Sequence, residues 1–132
     1  MTNRYQELSA MLRTLQLTHM ASTVDEVAMR AAREGLTHEA FLYELVQHEC
    51  AHRQERRTER LLRASHLPRE KTFRTLHLAW FGAVLAQQIE RLRVGTFVQQ
   101  AINVVAVGTP GTGKSHVAAA LGHELVLQGQ TV

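Results

Sequence analysis

The residues whose types and spacing most directly imply chemistry are Gly108-Thr109-Pro110-Gly111-Thr112-Gly113-Lys114-Ser115. They fit G-x-x-x-x-G-K-[ST], a loop that cradles the phosphates of a nucleoside triphosphate. Backbone N–H groups from Gly111 to Ser115 converge on phosphate oxygens only if the loop curls tightly. Gly108, Gly111 and Gly113 permit this, because glycine tolerates positive φ and leaves room for close approach. The loop feeds a helix N-terminus, whose free amides and dipole also favour an anion. Lys114 is expected to reach the β- and γ-phosphates as a point charge, and the Ser115 hydroxyl to ligate Mg²⁺. His116, the next residue, is grouped with the nucleotide-binding segment. No catalytic residue is assigned.

Two other patterns compete for attention. His48-Glu49-Cys50-Ala51-His52 matches H-E-x-x-H, in which two histidines at i and i+4 share a zinc ion and the glutamate acts as base. The extended form wants glycine at 55 and histidine at 58, where the chain has Glu55 and Thr58. A polar helix face is the better reading, although Glu70 or Glu90 could supply a third ligand. Further along, Arg53, Arg56, Arg57, Arg60 and Arg63 recur at spacings of three and four and make one stripe. Guanidiniums cannot stay in an apolar core. The stripe is therefore expected to face DNA phosphate, without sequence preference, or to be solvated and stitched by Glu49–Arg53 and Glu59–Arg63 pairs. The aromatic pair Trp80 and Phe81 lies in an apolar stretch and is expected to pack beneath the nucleotide domain rather than to stack on a base.

The elements that position these residues are mainly helical. Proline occurs only at Pro68 and Pro110, and Gly35, Gly82 and Gly95 are the only glycines before Gly108. Helices are predicted over Asn3–Leu15 (Leu8, Met11, Leu12 and Leu15 apolar) and Ser22–Arg33 (Val24, Val27, Ala28 and Ala31), the latter ended by Gly35. Thr37 should cap a long helix over His38–Ser65, with Glu39 in its first turn and Phe41, Leu42, Leu45, Val46 and Cys50 as its apolar stripe. Residues 69–80 are ambiguous. A helix is predicted over Val84–Arg93, closed by Gly95, and a short turn capped by Thr96 through Gln100. Asn103–Gly108 reads as a buried parallel strand. Ser115–Gln128 reads as a helix with Val117, Ala118, Leu121 and Leu125 on one face, ended by Gly129, and Thr131–Val132 as the opening of a second strand.

The predicted organisation is a helical domain over 1–67, a linker with short helices over 68–100, and the start of a P-loop domain over 101–132. The fold class is mainly α, with the first strand–P-loop–helix unit of an incomplete α/β P-loop NTPase. Composition is that of an ordinary globular protein, with 45% apolar and 20% charged residues and a net charge of +3. The single cysteine excludes an intrachain disulfide. The longest apolar run, Leu78–Ala86, is far shorter than the ~20 residues of a membrane-spanning helix, and no signal peptide is evident at the N-terminus. A cytoplasmic protein with no membrane association is expected.

The order Lys71-Thr72-Phe73, Ile89-Glu90-Arg91-Leu92, Gly95-Thr96-Phe97-Val98 and Asn103 through His116 resembles the IstB family of insertion-sequence ATP-binding proteins, relatives of the DnaC helicase loader. The resemblance runs from about Leu8 to Val132. It implies an AAA+ fold binding ATP and Mg²⁺ through Gly108, Gly111, Gly113, Lys114 and Ser115. It also implies DNA contact from the N-terminal helices, a transposase as partner, and self-assembly. Family members continue past Val132 with strands bearing the acidic residues and the arginine that hydrolysis needs. The chain is therefore read as truncated after the P-loop helix, with little or no ATP hydrolysis and a weakly stable C-terminal segment. A helicase loader, or a catalytically dead helical DNA- or protein-binding remnant, is the alternative.

Overall fold

The computed structural model describes residues 3–132. Helices dominate: α1 Arg4–Thr14, α2 Thr18–Glu34, α3 His38–Ser65, a 3-10 turn Leu78–Phe81, α4 Gly82–Arg93, α5 Thr96–Gln99 and α6 Lys114–Leu127. The chain divides into two compact units, the first ending at Arg56 and the second beginning at Arg57, both inside α3. None of the described helices is long and apolar enough to cross a membrane.

In the first unit, the Asn3 side chain accepts from the Tyr5 amide and starts α1. Gly35, left-handed at φ 65°, stops α2, as glycine can without Cβ strain. Thr37 Oγ1 accepts from the Ala40 amide at 3.1 Å and opens α3. The core gathers Leu12, Met20, Ala21, Val24, Val27 and Leu45, with Leu8, Leu17 and Phe41 packed against it. Two of the predicted stripes are only partly used. Met11 of α1 and Leu15 at its C-cap, and Leu42, Val46 and Cys50 of α3, are exposed. The face of α3 that is covered passes instead through Phe41, Leu45 and Glu49. In addition, α2 begins four residues before the predicted Ser22.

In the second unit, α6 is the most buried element, through Ala119, Ala120, Leu121, Gly122 and Val126. Its predicted face is less covered: Ala118 is exposed and Val117 half-buried. A Cβ on Gly122 would meet Leu67 Cδ1 at 2.9 Å, so the helix approaches the segment after α3 closely there. Polar straps hold the same helix. His123 Nε2 lies 2.9 Å from the Pro68 carbonyl oxygen. Arg93 pairs with Glu124 at 3.1 Å while its guanidinium lies 4.6 Å from the Phe73 ring centroid. Ile89 of α4 is buried. Thr96 is the first residue of α5 rather than its cap, a position taken by Gly95 at φ 85°.

The predicted strands are corrected. Residues 102–109 carry no strand, nor do Thr131 and Val132, and no ladder hydrogen bonds occur among the described residues. Val105 and Val107 are 80% and 91% exposed. A strand exists by pairing, and a β-branched run has no way to satisfy its N–H and C=O groups alone except with water. The apolar pattern is present, but no strand lies beside it among the described residues.

Candidate nucleotide-binding site

The loop 108–113 owes its curl to two left-handed glycines, Gly111 at φ 78° and Gly113 at φ 91°. Gly113 is also the N-cap of α6, and its carbonyl accepts from the Val117 amide at 2.9 Å. A Cβ at Gly113 would sit 3.0 Å from Phe81 Cζ, so this position is constrained twice, by φ and by space. Gly108 has no positive φ; its requirement is close approach, since a Cβ there would meet Thr112 Oγ1 at 3.0 Å. Thr112 in turn donates from Oγ1 to the Thr109 carbonyl at 2.8 Å, closing the turn.

Lys114 opens α6 and folds back over the loop. Its Nζ donates to the carbonyls of Gly108 and Thr109, each at 2.7 Å, and to Thr112 Oγ1 at 3.5 Å. The ammonium is therefore held above the loop by three oxygen acceptors, and phosphate oxygens are the stronger acceptors that would compete for it. The first amides of α6 have no partner within the helix, as at any helix start. Left-handed glycines, a cradle a Cβ would fill, a centred ammonium and a helix N-terminus together fit a bound phosphate chain. Ser115 is exposed beside them. Thr109 and Pro110 are exposed in the bend. His116 turns elsewhere: its Nε2 lies 3.1 Å from both Thr75 Oγ1 and the Thr72 carbonyl oxygen. Any part it takes in the cradle falls to its backbone amide.

The aromatic pair expected to pack beneath the nucleotide domain divides. The Phe81 ring is half-buried and supports Gly113 from beneath, whereas Trp80 is 82% exposed rather than packed. The signal was the apolar stretch itself, but the spacing did not say which of the two aromatics would find cover.

The H-E-x-x-H segment is used in another way. Leu17, the N-cap of α2, has no side-chain oxygen, and Glu49 supplies it from α3: Oε2 accepts from the Met20 amide at 2.9 Å. Glu49 is only 4% exposed. Burial alone would push its carboxyl up. The Met20 amide, the Arg53 side chain with its charge, and the His19 amide outweigh burial and hold it below the ordinary 4.5. His52 stacks on His19, ring centroids 4.6 Å apart. No cluster of three or more metal-ligating side chains occurs among the described residues. The glutamate that zinc chemistry would use as a base is here a helix cap.

The arginine stripe also divides. Arg53 donates to Glu49 Oε1 at 3.0 Å and to the Gln16 carbonyl at 2.6 Å. Arg57 reaches the Gly129 carbonyl at 3.5 Å, and Arg63 pairs with Glu59. Arg56 and Arg60 have no hydrogen bond or ion pair among the described residues, and all five are exposed.

Residues 10–132 match the family model of the IstB-like ATP binding protein. Similar proteins include an insertion-sequence ATP-binding protein of Sinorhizobium fredii, 35% identical over 95% of this chain and 42% of its own length. A second, of Pseudomonas aeruginosa, is 31% identical over 96% of this chain and 48% of its own. A third, of Geobacillus stearothermophilus, is 30% identical over 87% and 46%. The chain thus spans somewhat under half the length of these relatives. With nearly all of its residues matched, and with the P-loop in the conformation described, the chain belongs to the family of IstB-like ATP-binding proteins.

Proposed function

We propose that this chain is the nucleotide-binding and DNA-contacting part of a transposition helper. It binds Mg-ATP through the backbone amides and side chains of residues 108–116. Lys114 meets the β- and γ-phosphates, and the Ser115 hydroxyl ligates Mg²⁺. When bound, Mg²⁺ supplies charge neutralisation to the phosphates; the chain's own part is to curl, to donate N–H groups and to hold the ammonium in place. The N-terminal helices hold DNA without sequence preference through phosphate contacts of the Arg53–Arg63 stripe. A transposase, further copies of the same protein and a cytoplasmic setting complete the reading. In a protein of its relatives' length, residues 103–107 take their place as a strand of a parallel sheet.

The observation that carries the reading is the pairing of left-handed Gly111 and Gly113 with Lys114 folded over the loop at the start of a helix of 14 residues. Isothermal calorimetry with Mg-ATP tests it. The wild-type chain should bind, and Lys114→Ala should weaken binding about a hundredfold, the loss of a charge-assisted contact. Equal affinity of the two proteins, or no heat from either, would sink the assignment.

A further inference from the structure

Trp80 is the chain's only tryptophan, and it leaves most of its indole in water. A side chain of that size normally finds cover, because its burial is among the largest single contributions available to a fold. Phe81, the next residue, is half-buried, against Gly113 of the P-loop. Both belong to the 3-10 turn that Gly82, at φ 74°, ends. The His77 ring stands 4.5 Å from the indole at an interplanar angle of 31°, which backs the indole on one side. Trp80 and Phe81 line a concavity of about 940 Å³ whose wall also includes Gly108, Thr109, Thr112 and Lys114. An exposed flat aromatic surface thus opens onto the same space as the phosphate cradle.

We propose that Trp80 and Phe81 form the wall for the nucleobase of the nucleotide held by the P-loop. Trp80 offers its indole face for stacking. Phe81 is a positioning residue that sets Gly113, and through it the loop. The inference rests on the P-loop reading and adds the base-facing half of the same site. Every base has a π-face, so such a wall selects a nucleotide over a bare polyphosphate but discriminates weakly between bases.

The test compares Mg-ATP with magnesium tripolyphosphate, using the full chain and the fluorescence of its lone tryptophan. Wild type should bind Mg-ATP about tenfold more tightly than tripolyphosphate, the lower end of a stacking contribution. Mg-ATP should quench the emission and tripolyphosphate should leave it unchanged. Trp80→Leu, at an exposed position, should bring the two affinities together, and Trp80→Phe should restore most of the difference. Phe81→Ala should weaken both ligands alike, since it acts through the loop. Bound Mg-ATP without quenching, or an affinity ratio that survives Trp80→Leu, overturns the proposal. So does quenching by a single-stranded oligonucleotide that Mg-ATP fails to displace. Unchanged affinities in Phe81→Ala overturn its role in positioning the loop. Wild type that binds neither ligand defeats the P-loop reading itself, and this proposal with it.

Discussion

Two short segments of this chain match patterns associated with chemistry, and they end in opposite circumstances. At His48–His52 the potentially reactive carboxylate is buried, hydrogen-bonded to a backbone amide and paired with an arginine. Its capacity is consumed in holding two helices together. At Gly108–Ser115 the glycines adopt conformations that serve no core, and the lysine bonds only to its own loop. The contrast separates polar residues committed to the fold from polar residues left to their own loop. A group satisfied by distant parts of the fold stabilises it; a group satisfied only locally, in an exposed bend, is available for a ligand.

Substitutions can break this contrast. The largest stability loss is expected at Leu45, 3% exposed in the core of the first unit. Leu45→Ala should cost about 3 kcal/mol by urea denaturation and leave Mg-ATP affinity unchanged. Glu49→Ala should cost about 2 kcal/mol, because it strips the cap from α2 and strands a buried donor. That contribution depends on pH. The folded carboxyl ionises below its ordinary 4.5, so the stabilisation is fully present above that value and is lost as pH falls through the lowered folded one. Glu49→Gln should flatten the acid limb of a melting-temperature profile, and an unchanged limb would refute the capping role. Gly113→Ala should reverse the pattern. It should cost about 1 kcal/mol of stability through its left-handed φ, yet impair Mg-ATP binding severely because Phe81 blocks the added methyl. Smallest of all, Arg63→Ala should change stability by no more than about 0.5 kcal/mol, since Arg63 and Glu59 are both largely exposed.

Local signals in the sequence carried far. The bounds of α3, the Thr37 cap and the Gly35 stop follow from residues within a few positions of the boundary, and the structure has each of them. The start of α2 was hidden because its cap comes from Glu49, 29 positions away. The covered face of α3 was blurred because apolar residues occupy more than one side of the helix. Leu42 and Val46 fit a helical period as well as Leu45 does, and only the packing partners choose. The 103–107 segment shows the other limit: β-branched residues specify the wish to pair, while the pairing itself needs strands from elsewhere. For the candidate site, the spacing pointed to a tight glycine turn at a helix start, and the structure has Gly111 and Gly113 left-handed there with Lys114 folded over the loop. The aromatic pair was expected beneath the nucleotide domain, but which of the two would meet Gly113 was not legible, since that depends on a contact across 32 positions of chain.

The most direct test of the phosphate cradle is an amide-resolved NMR titration of the full chain with Mg-ATP. The backbone N–H signals of Gly111, Thr112, Gly113, Lys114 and Ser115 should shift in a saturable manner, while those of Met20 and Glu49 stay in place. Saturable shifts confined to other residues, with the loop amides unmoved, would contradict the assignment of this loop as the nucleotide site.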